Sequence, residues 1–398
     1  MTLMAAEPAL VTPALLEWAR SSMNIDVESA AKRANVKPDR LREWEAGTGH
    51  PSIPQARRLA AVYKRPLAAL FLPAPPRDFT IPHDFRRLPD TPVAVASPRL
   101  IEAIRAAGYR RSTAIDLSDP DEGGTDLVGI GSLGEDPEVV AGRVREMLGI
   151  SLATQRGWGN EYDALNAWKS AIEAHGILVF HFSRVPIEEA RAFSIAEDRF
   201  PVVAVNGVDK PRPRIFSLMH ELGHLVLRLG GISDLHERDP DSPDTRVEVF
   251  CNRFAGALLV PAGALRADSR FRAATAISTW TDVDLAELGR QFWVSREVVL
   301  RRLLILGKTS EAFYRQRRAE LQERQVQEDE GERDGFLAPP RGAIRTVGQP
   351  FVRIVLGAYN EDAITLSDVS ELLGVRVKHL PAIEALLQSR NVLTGGDR

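Results

Sequence analysis

The stretch that decides the fold is Ile215-Phe216-Ser217-Leu218-Met219-His220-Glu221-Leu222-Gly223-His224-Leu225-Val226-Leu227. Apolar residues recur in it at steps of three and four, which predicts a helix packed into a core. His220 and His224 lie one turn apart on the same helix face. Both imidazoles can therefore hold one Zn²⁺, and Glu221 can take a proton from water that the metal has made acidic. The stretch predicts a zinc peptidase.

A catalytic zinc site needs a third protein ligand and one open position. The best source of that ligand is a second predicted helix, Val247 to Leu259, whose apolar face can pack against the first helix. This packing would direct Glu248, near the start of the second helix, toward the metal. His236 and Asp234 in the intervening loop, and less strongly Asp244, are the alternatives.

Two apolar runs predict strands beside the histidine helix. Ile177 to Phe180 predicts a buried strand, and Phe200 to Asn206 predicts a second one. The second is either an ordinary core strand or a sheet edge, to which a substrate peptide adds as an extra strand through Val205 and Asn206. Pro211 and Pro213 are predicted to break the chain just before the histidine helix.

The region from residue 12 to residue 72 predicts five short helices, of which the second and third are joined by a tight turn. That arrangement is typical of a helix-turn-helix unit. Residues 26–65 carry nine Lys and Arg against five Asp and Glu, a local excess of positive charge. Lys37, Arg40 and Arg42 are the candidate DNA contacts. The alternative is a helical module that docks a protein and does not bind DNA.

Composition limits the class of protein. The chain has 398 residues, enough for two or three domains, of which 44% are hydrophobic and 26% charged. A net charge of −3 excludes a global attraction to nucleic acid. No apolar run of membrane-spanning length occurs, and the first ten residues do not predict a secretory signal. Cys251 is the single cysteine, which excludes internal disulfides, and we expect a cytoplasmic protein.

These patterns predict an α+β fold that is mostly α. We expect an N-terminal five-helix helix-turn-helix domain, a zincin-like metallopeptidase domain with a small sheet, and a C-terminal helical region. The predicted parts are a helix-turn-helix domain (1–75), a partly helical connection (76–150), a metallopeptidase domain (151–270), a second region resembling a helix-turn-helix (271–325), and a charged linker with a small C-terminal module (326–398).

Taken together, these residues resemble the ImmA/IrrE family of zinc peptidases. The resemblance covers about residues 155–265 and lies in Val205-Asn206, Arg214-x-Phe216, His220-Glu221-Leu222-Gly223-His224, Glu248-x-x-Cys251-Asn252-x-Phe254-Ala255 and Leu258-Leu259-x-Pro261. In one departure, Cys251 stands where the family usually has Ala. Trp44-Glu45-x-Gly47 also resembles the end of the recognition helix in an Xre-type domain, and Leu285 to Leu303 resembles the second helical pair of many members.

The resemblance implies that His220, His224 and Glu248 are the zinc ligands and that Glu221 is the catalytic base. It further implies a substrate, a helix-turn-helix repressor that is cut once, so that stress or mobile-element genes are released. In some long members the gene lies beside a toxin. The alternative is therefore a DNA-binding antitoxin with a toxin partner and a non-proteolytic or sensory zinc site. Xre-type domains often pair, so we expect a homodimer.

Overall fold

The structure is a computed structural model that describes residues 8–76, 83–84, 96–233, 243–275, 279–329 and 338–394. The chain divides into two units, Met1–Ile81 with Thr91–Ala106, and Pro82–Asp90 with Ala107–Arg398. The described residues are mostly helical and include one small sheet, which confirms the predicted fold class. None of the described helices combines the length and the apolar composition needed to cross a membrane.

The first unit begins with the predicted run of short helices. They are α1 (Pro13–Ser21), α2 (Val27–Ala34), α3 (Pro38–Glu45), α4 (Ile53–Val62) and a 3₁₀ turn, Leu67–Phe71. The Asp26 side chain accepts the Ser29 amide and caps α2, while Asn35 ends α2 in the left-handed conformation. Four of the five predicted elements are confirmed as α-helices, and the fifth is a 3₁₀ turn.

The helices that follow are longer. The next one is α5 (Pro98–Asp116). The remaining helices are α6 (Pro137–Met147), α7 (Leu152–Arg156), α8 (Glu161–Glu173), α9 (Pro211–Val226), α10 (Pro243–Leu259), α11 (Ala262–Arg266), α12 (Ser269–Ala273), α13 (Asp282–Phe292), α14 (Arg296–Ile305), α15 (Glu311–Asp329), α16 (Pro339–Val347), α17 (Gln349–Asn360), α18 (Leu366–Leu373), a 3₁₀ turn Val377–His379, and α19 (Leu380–Thr394).

The sheet contains five short strands in the described residues, in the order β1-β5-β3-β4-β2. Their bounds are β1 (His83–Asp84), β2 (Leu178–Phe182), β3 (Ala192–Ile195), β4 (Val202–Asn206) and β5 (Gly231–Ser233). Strand β4 runs parallel to β2 and antiparallel to β3, and β3 is also antiparallel to β5. Helix α9 packs against β3 and β4, and α8 and α10 pack against α9.

Strand β4 is central, so the idea that it is a sheet edge is wrong. Its second side pairs with β3, a four-residue strand that the sequence did not predict. Val205 and Asn206 are fully buried, and Asn206 donates its side-chain amide to the carbonyl oxygens of Val185 and Ala190 at 2.9 Å. Asn206 therefore fastens the loop that precedes β3, and neither residue is available to a substrate peptide added at an edge.

The prediction that Pro211 and Pro213 break the chain before the histidine helix is also wrong. Helix α9 begins at Pro211, so both prolines lie in its first turn. The amides of a first helical turn have no partner within the helix, and proline therefore costs nothing there. As a result α9 extends one turn further toward its N-terminus than the histidine motif alone predicts.

Candidate metal centre

The structure brings together the three side chains that the sequence pointed to as metal ligands. Helix α9 carries His220 and His224, and α10 carries Glu248. The Nε2 atom of His220 lies 3.2 Å from Oε2 of Glu248, and that of His224 lies 3.3 Å from Oε1. The two Nε2 atoms are 3.2 Å apart. Within the described residues this is the one group of His, Cys, Asp and Glu with the spacing of a metal site.

The two histidine–glutamate distances end on different oxygens of Glu248, and one ligand atom from each residue lies within 4.8 Å of the others, which is close enough for the three side chains to share one ion. The donor set fits as well, because imidazole nitrogens and a carboxylate oxygen are ligands that zinc accepts in proteins. All three residues are buried, and Glu248 is the most exposed of them at 4%.

The charges at the cluster favour a bound cation. Burial raises the pKa of Glu248, but His220 and His224 oppose it and hold that pKa at about 2. Burial likewise lowers the pKa of His220, and the Glu248 carboxylate outweighs burial so that the pKa is raised. Glu248 is therefore an anion at neutral pH, and its negative charge faces the two imidazoles.

A hydrogen bond from α10 orients one of the histidines. The Nδ1 atom of His220 lies 3.2 Å from Oδ1 of Asn252. When Nδ1–H donates to this oxygen, the lone pair of Nε2 points toward the ligand cluster. Asn252 follows Glu248 by one helical turn, so one face of α10 supplies both the ligand and this contact. The resemblance includes Asn252 in its motif, but the sequence reasoning gave it no role.

Glu221, the predicted base, lies beside the cluster and is 1% exposed. Its Oε2 accepts a hydrogen bond of 2.7 Å from the hydroxyl of Ser194, on β3. Burial raises the pKa of Glu221, and the two histidines and Ser194 oppose that effect. The sequence did not find Ser194, because β3 is too short to show an alternating pattern.

Two groups of predicted site residues remain, the alternative metal ligands and the DNA contacts. His236 and Asp234 fall outside the described residues, as does the side chain of Asp244.

Among the predicted DNA contacts, Lys37 precedes the first residue of α3. Arg40 donates to Glu43 at 2.7 Å, and about half of its side chain is exposed.

Arg42, on the same helix, donates to Asp39 at 2.8 Å and to Glu28. Both arginines of the would-be recognition helix therefore pair with carboxylates of the same domain, and these pairs would have to open before either arginine could contact a phosphate.

Gly223 sets the distance between the two helices of the site. A Cβ atom at this position would lie 3.1 Å from the Phe254 ring and 3.2 Å from both Cα and Sγ of Cys251. The absent side chain lets α10 approach α9 closely enough for Glu248 to reach the histidines. Cys251, which is fully buried, packs against Gly223 in this space.

Gly223→Ala is expected to lower the free energy of unfolding by about 1–3 kcal/mol, because the added methyl overpacks the space between the helices. The same change should weaken zinc binding by moving Glu248 away from the histidines. Urea denaturation and zinc titration check both effects. Gly142→Ala on α6 is the control, because nothing lies within 4 Å of a Cβ added there. It should raise stability by up to about 1 kcal/mol. Equal effects of the two changes would contradict the packing role of Gly223.

The candidate metal centre therefore consists of His220, Glu221 and His224 on one helix and Glu248 on the next, beside a small sheet. Residues 172–304 match the family model of the M78 peptidases, described as the IrrE N-terminal-like domain, and residues 16–70 match a helix-turn-helix model. The chain therefore carries an IrrE-like peptidase-family domain and an N-terminal helix-turn-helix domain, and the resemblance drawn from the sequence is confirmed.

One solved structure, described as a Mycobacterium tuberculosis transcriptional regulator, is similar to this chain at 21% identity with a TM-score of 0.29. The match covers 42% of this chain and 47% of that chain, so the chain spans about half the length of the structure it matches. No curated protein is significantly similar to this sequence.

Proposed function

We propose that this chain is a zinc-dependent endopeptidase that cleaves a helix-turn-helix repressor and that its N-terminal domain binds DNA. The observation that carries the proposal is the cluster of His220, His224 and Glu248, whose ligand atoms all lie within 4.8 Å of one another beside the Glu221 carboxylate. The match to an M78 peptidase model over residues 172–304 supports the same function.

The number of ligands favours catalysis over a structural role. A structural zinc site is closed by four protein ligands, and within the described residues this cluster contains three. When bound, zinc would supply a Lewis acid that polarises a peptide carbonyl and lowers the pKa of water.

In this proposal Glu221 receives the proton. Its Oε2 is engaged by Ser194, and among the described residues its buried Oε1 has no hydrogen-bond partner. The raised pKa makes its carboxylate a stronger base than an exposed glutamate. The same residue can then return the proton to the leaving amine, which completes hydrolysis of the bond.

A comparison of two substrates tests this function. The zinc-loaded chain would be incubated with the helix-turn-helix repressor encoded nearest its gene, and separately with casein. We expect one discrete cut in the repressor and none in casein, because the cluster is buried and would admit only a segment that fits the surrounding fold. Stoichiometric zinc without a cut in the repressor would contradict the proposal.

The second candidate is a DNA-binding regulator or antitoxin with a non-proteolytic or sensory zinc site. It is favoured by the enclosure of the cluster, since His220, Glu221 and His224 are each no more than 1% exposed. In this candidate the helix-turn-helix domain carries the activity and a toxin is the partner. We propose a homodimer and a cytoplasmic location for both candidates. The domain boundaries predicted from the sequence are also part of the proposal.

Binding to the chain's own upstream DNA is expected to be steeply salt-dependent if the helix-turn-helix domain binds phosphates. Removing one phosphate-binding side chain should reduce the slope of log K against log salt by about 0.9. We expect Lys37→Ala to show this reduction, because Lys37 stands at the start of α3. Gel shifts across a salt series measure it, with Lys64→Ala as the control, since Lys64 pairs with Glu102 at 3.3 Å. Absence of binding at low salt would favour a protein-docking domain.

A further inference from the structure

The strand beside α9 carries one buried polar side chain that faces the candidate site. Ala192 packs into the core shared with α9, and Ser194 lies on the same face because strand side chains alternate. The side chain of Ser194 is fully buried among apolar neighbours on that face, which include Val203, its partner on β4. A buried hydroxyl in such surroundings is destabilising unless it has an acceptor.

The acceptor is the Glu221 carboxylate. The Ser194 hydroxyl donates to Oε2 at 2.7 Å, the usual length of a hydrogen bond from a hydroxyl to an ionised carboxylate. A hydroxyl has one proton to donate, so this bond uses it fully. The other oxygen, Oε1, is buried and has no hydrogen-bond partner within the described residues. The two oxygens of the Glu221 carboxylate therefore differ. Oε2 accepts a hydrogen bond from a strand of the sheet, and Oε1 can accept a hydrogen bond or a proton from a further group.

We infer that Ser194 is a positioning residue for Glu221: its hydroxyl fixes Oε2 and leaves Oε1 as the oxygen that takes the proton from water. The proton-transfer part rests on the proposed peptidase function, whereas the fixing of the carboxylate does not. A glutamate side chain has three rotatable bonds, and a bond to a strand of the sheet selects one orientation of its carboxylate before substrate binds.

Three variants of the full, zinc-loaded chain separate positioning from packing. Ser194→Ala removes the hydroxyl with little change in volume, and Ser194→Thr restores a hydroxyl. Ser217→Ala is the matched control, because Ser217 lies on α9 one turn before Glu221, is 2% exposed, and its hydroxyl has no hydrogen-bond partner among the described residues. Each variant would be assayed for zinc content, for kcat and KM with the repressor, and by crystallography.

We expect Ser194→Ala to lower kcat by about 10–100-fold, as removal of a supporting hydrogen bond at a metal site commonly does. KM should stay within about twofold and zinc content should be unchanged, because no ligand is altered. Ser194→Thr should recover most of kcat, and Ser217→Ala should resemble the wild type. A merely structural serine would lower stability without this split between kcat and KM.

Crystal structures give a readout that does not depend on turnover. In the wild type and in Ser217→Ala, one conformer of Glu221 should lie within hydrogen-bond distance of Ser194. In Ser194→Ala the carboxylate should rotate or occupy two conformers. An unmoved carboxylate, or an unchanged kcat in Ser194→Ala, would overturn the inference. A carboxylate that moves in a chain whose wild type cleaves nothing would uphold the positioning role and reject the proposed function.

Discussion

Replacing Glu221 by glutamine is expected to lower kcat for repressor cleavage by about 10²–10⁴-fold, the range that a general base contributes. Glutamine has nearly the same shape, and its amide oxygen can still accept the Ser194 hydrogen bond, but it cannot take a proton. Zinc should remain bound at one ion per chain, because Glu221 is not among the three ligands. Single-turnover cleavage and metal analysis of the same sample measure the two effects.

The control for this change is Glu146→Gln, which removes an exposed carboxylate from α6. It should leave cleavage and zinc content unchanged. The buried carboxylate of Glu221 is costly to desolvate, so Glu221→Gln should be as stable as the wild type or more stable. A Glu221→Gln protein that cleaves at the wild-type rate would show that another group removes the proton.

Replacing Glu248 by alanine is expected to weaken zinc binding more than 100-fold, beyond the 10–100-fold range that follows removal of a residue that only supports a ligand. The change removes one of three ligands and the one negative charge among them, leaving two neutral imidazoles. Cleavage should disappear with the metal. Titration with zinc against a chromophoric chelator, at fixed pH, gives the affinity.

Two further variants distinguish the loss of a zinc ligand from misfolding of the chain. Glu248→Gln keeps the volume of the side chain but removes its charge, so it should also lose zinc while its circular dichroism matches the wild type. Arg253→Ala alters an exposed position on the same helix and should bind zinc normally. Zinc binding retained in both Glu248 variants would mean that the third ligand lies elsewhere, with the loop residues His236 and Asp234 as the first candidates.

The site could be predicted from the sequence because its ligands lie on two helices with strong apolar periodicity. Four-residue spacing places His220 and His224 on one face, and the apolar face of the second helix places Glu248 near them. The helical pair expected at Leu285 to Leu303 is present as α13 and α14. Helical spacing is a local property, and so these elements needed no knowledge of tertiary contacts.

The sheet was less predictable, because pairing depends on contacts distant in sequence. Strand β3 has four residues and β1 and β5 have two and three, too few for a periodic signal. Without β3, the sequence could not show that β4 is central, nor that Ser194 reaches Glu221. The prolines of α9 misled for a different reason: Pro211 marks a helix start as readily as a break, and only the hydrogen bonds of the folded chain distinguish the two.

The most direct test of the central claim is intact-mass spectrometry of the zinc-loaded chain incubated with the helix-turn-helix repressor in ¹⁸O-water. Hydrolysis by a site built from His220, His224, Glu248 and Glu221 predicts two fragments whose masses sum to that of the repressor plus one water molecule. One ¹⁸O atom should appear at the new carboxyl terminus, and Glu221→Gln should produce no fragments. An intact repressor in the presence of stoichiometric zinc would contradict the claim and leave the DNA-binding regulator as the function of this chain.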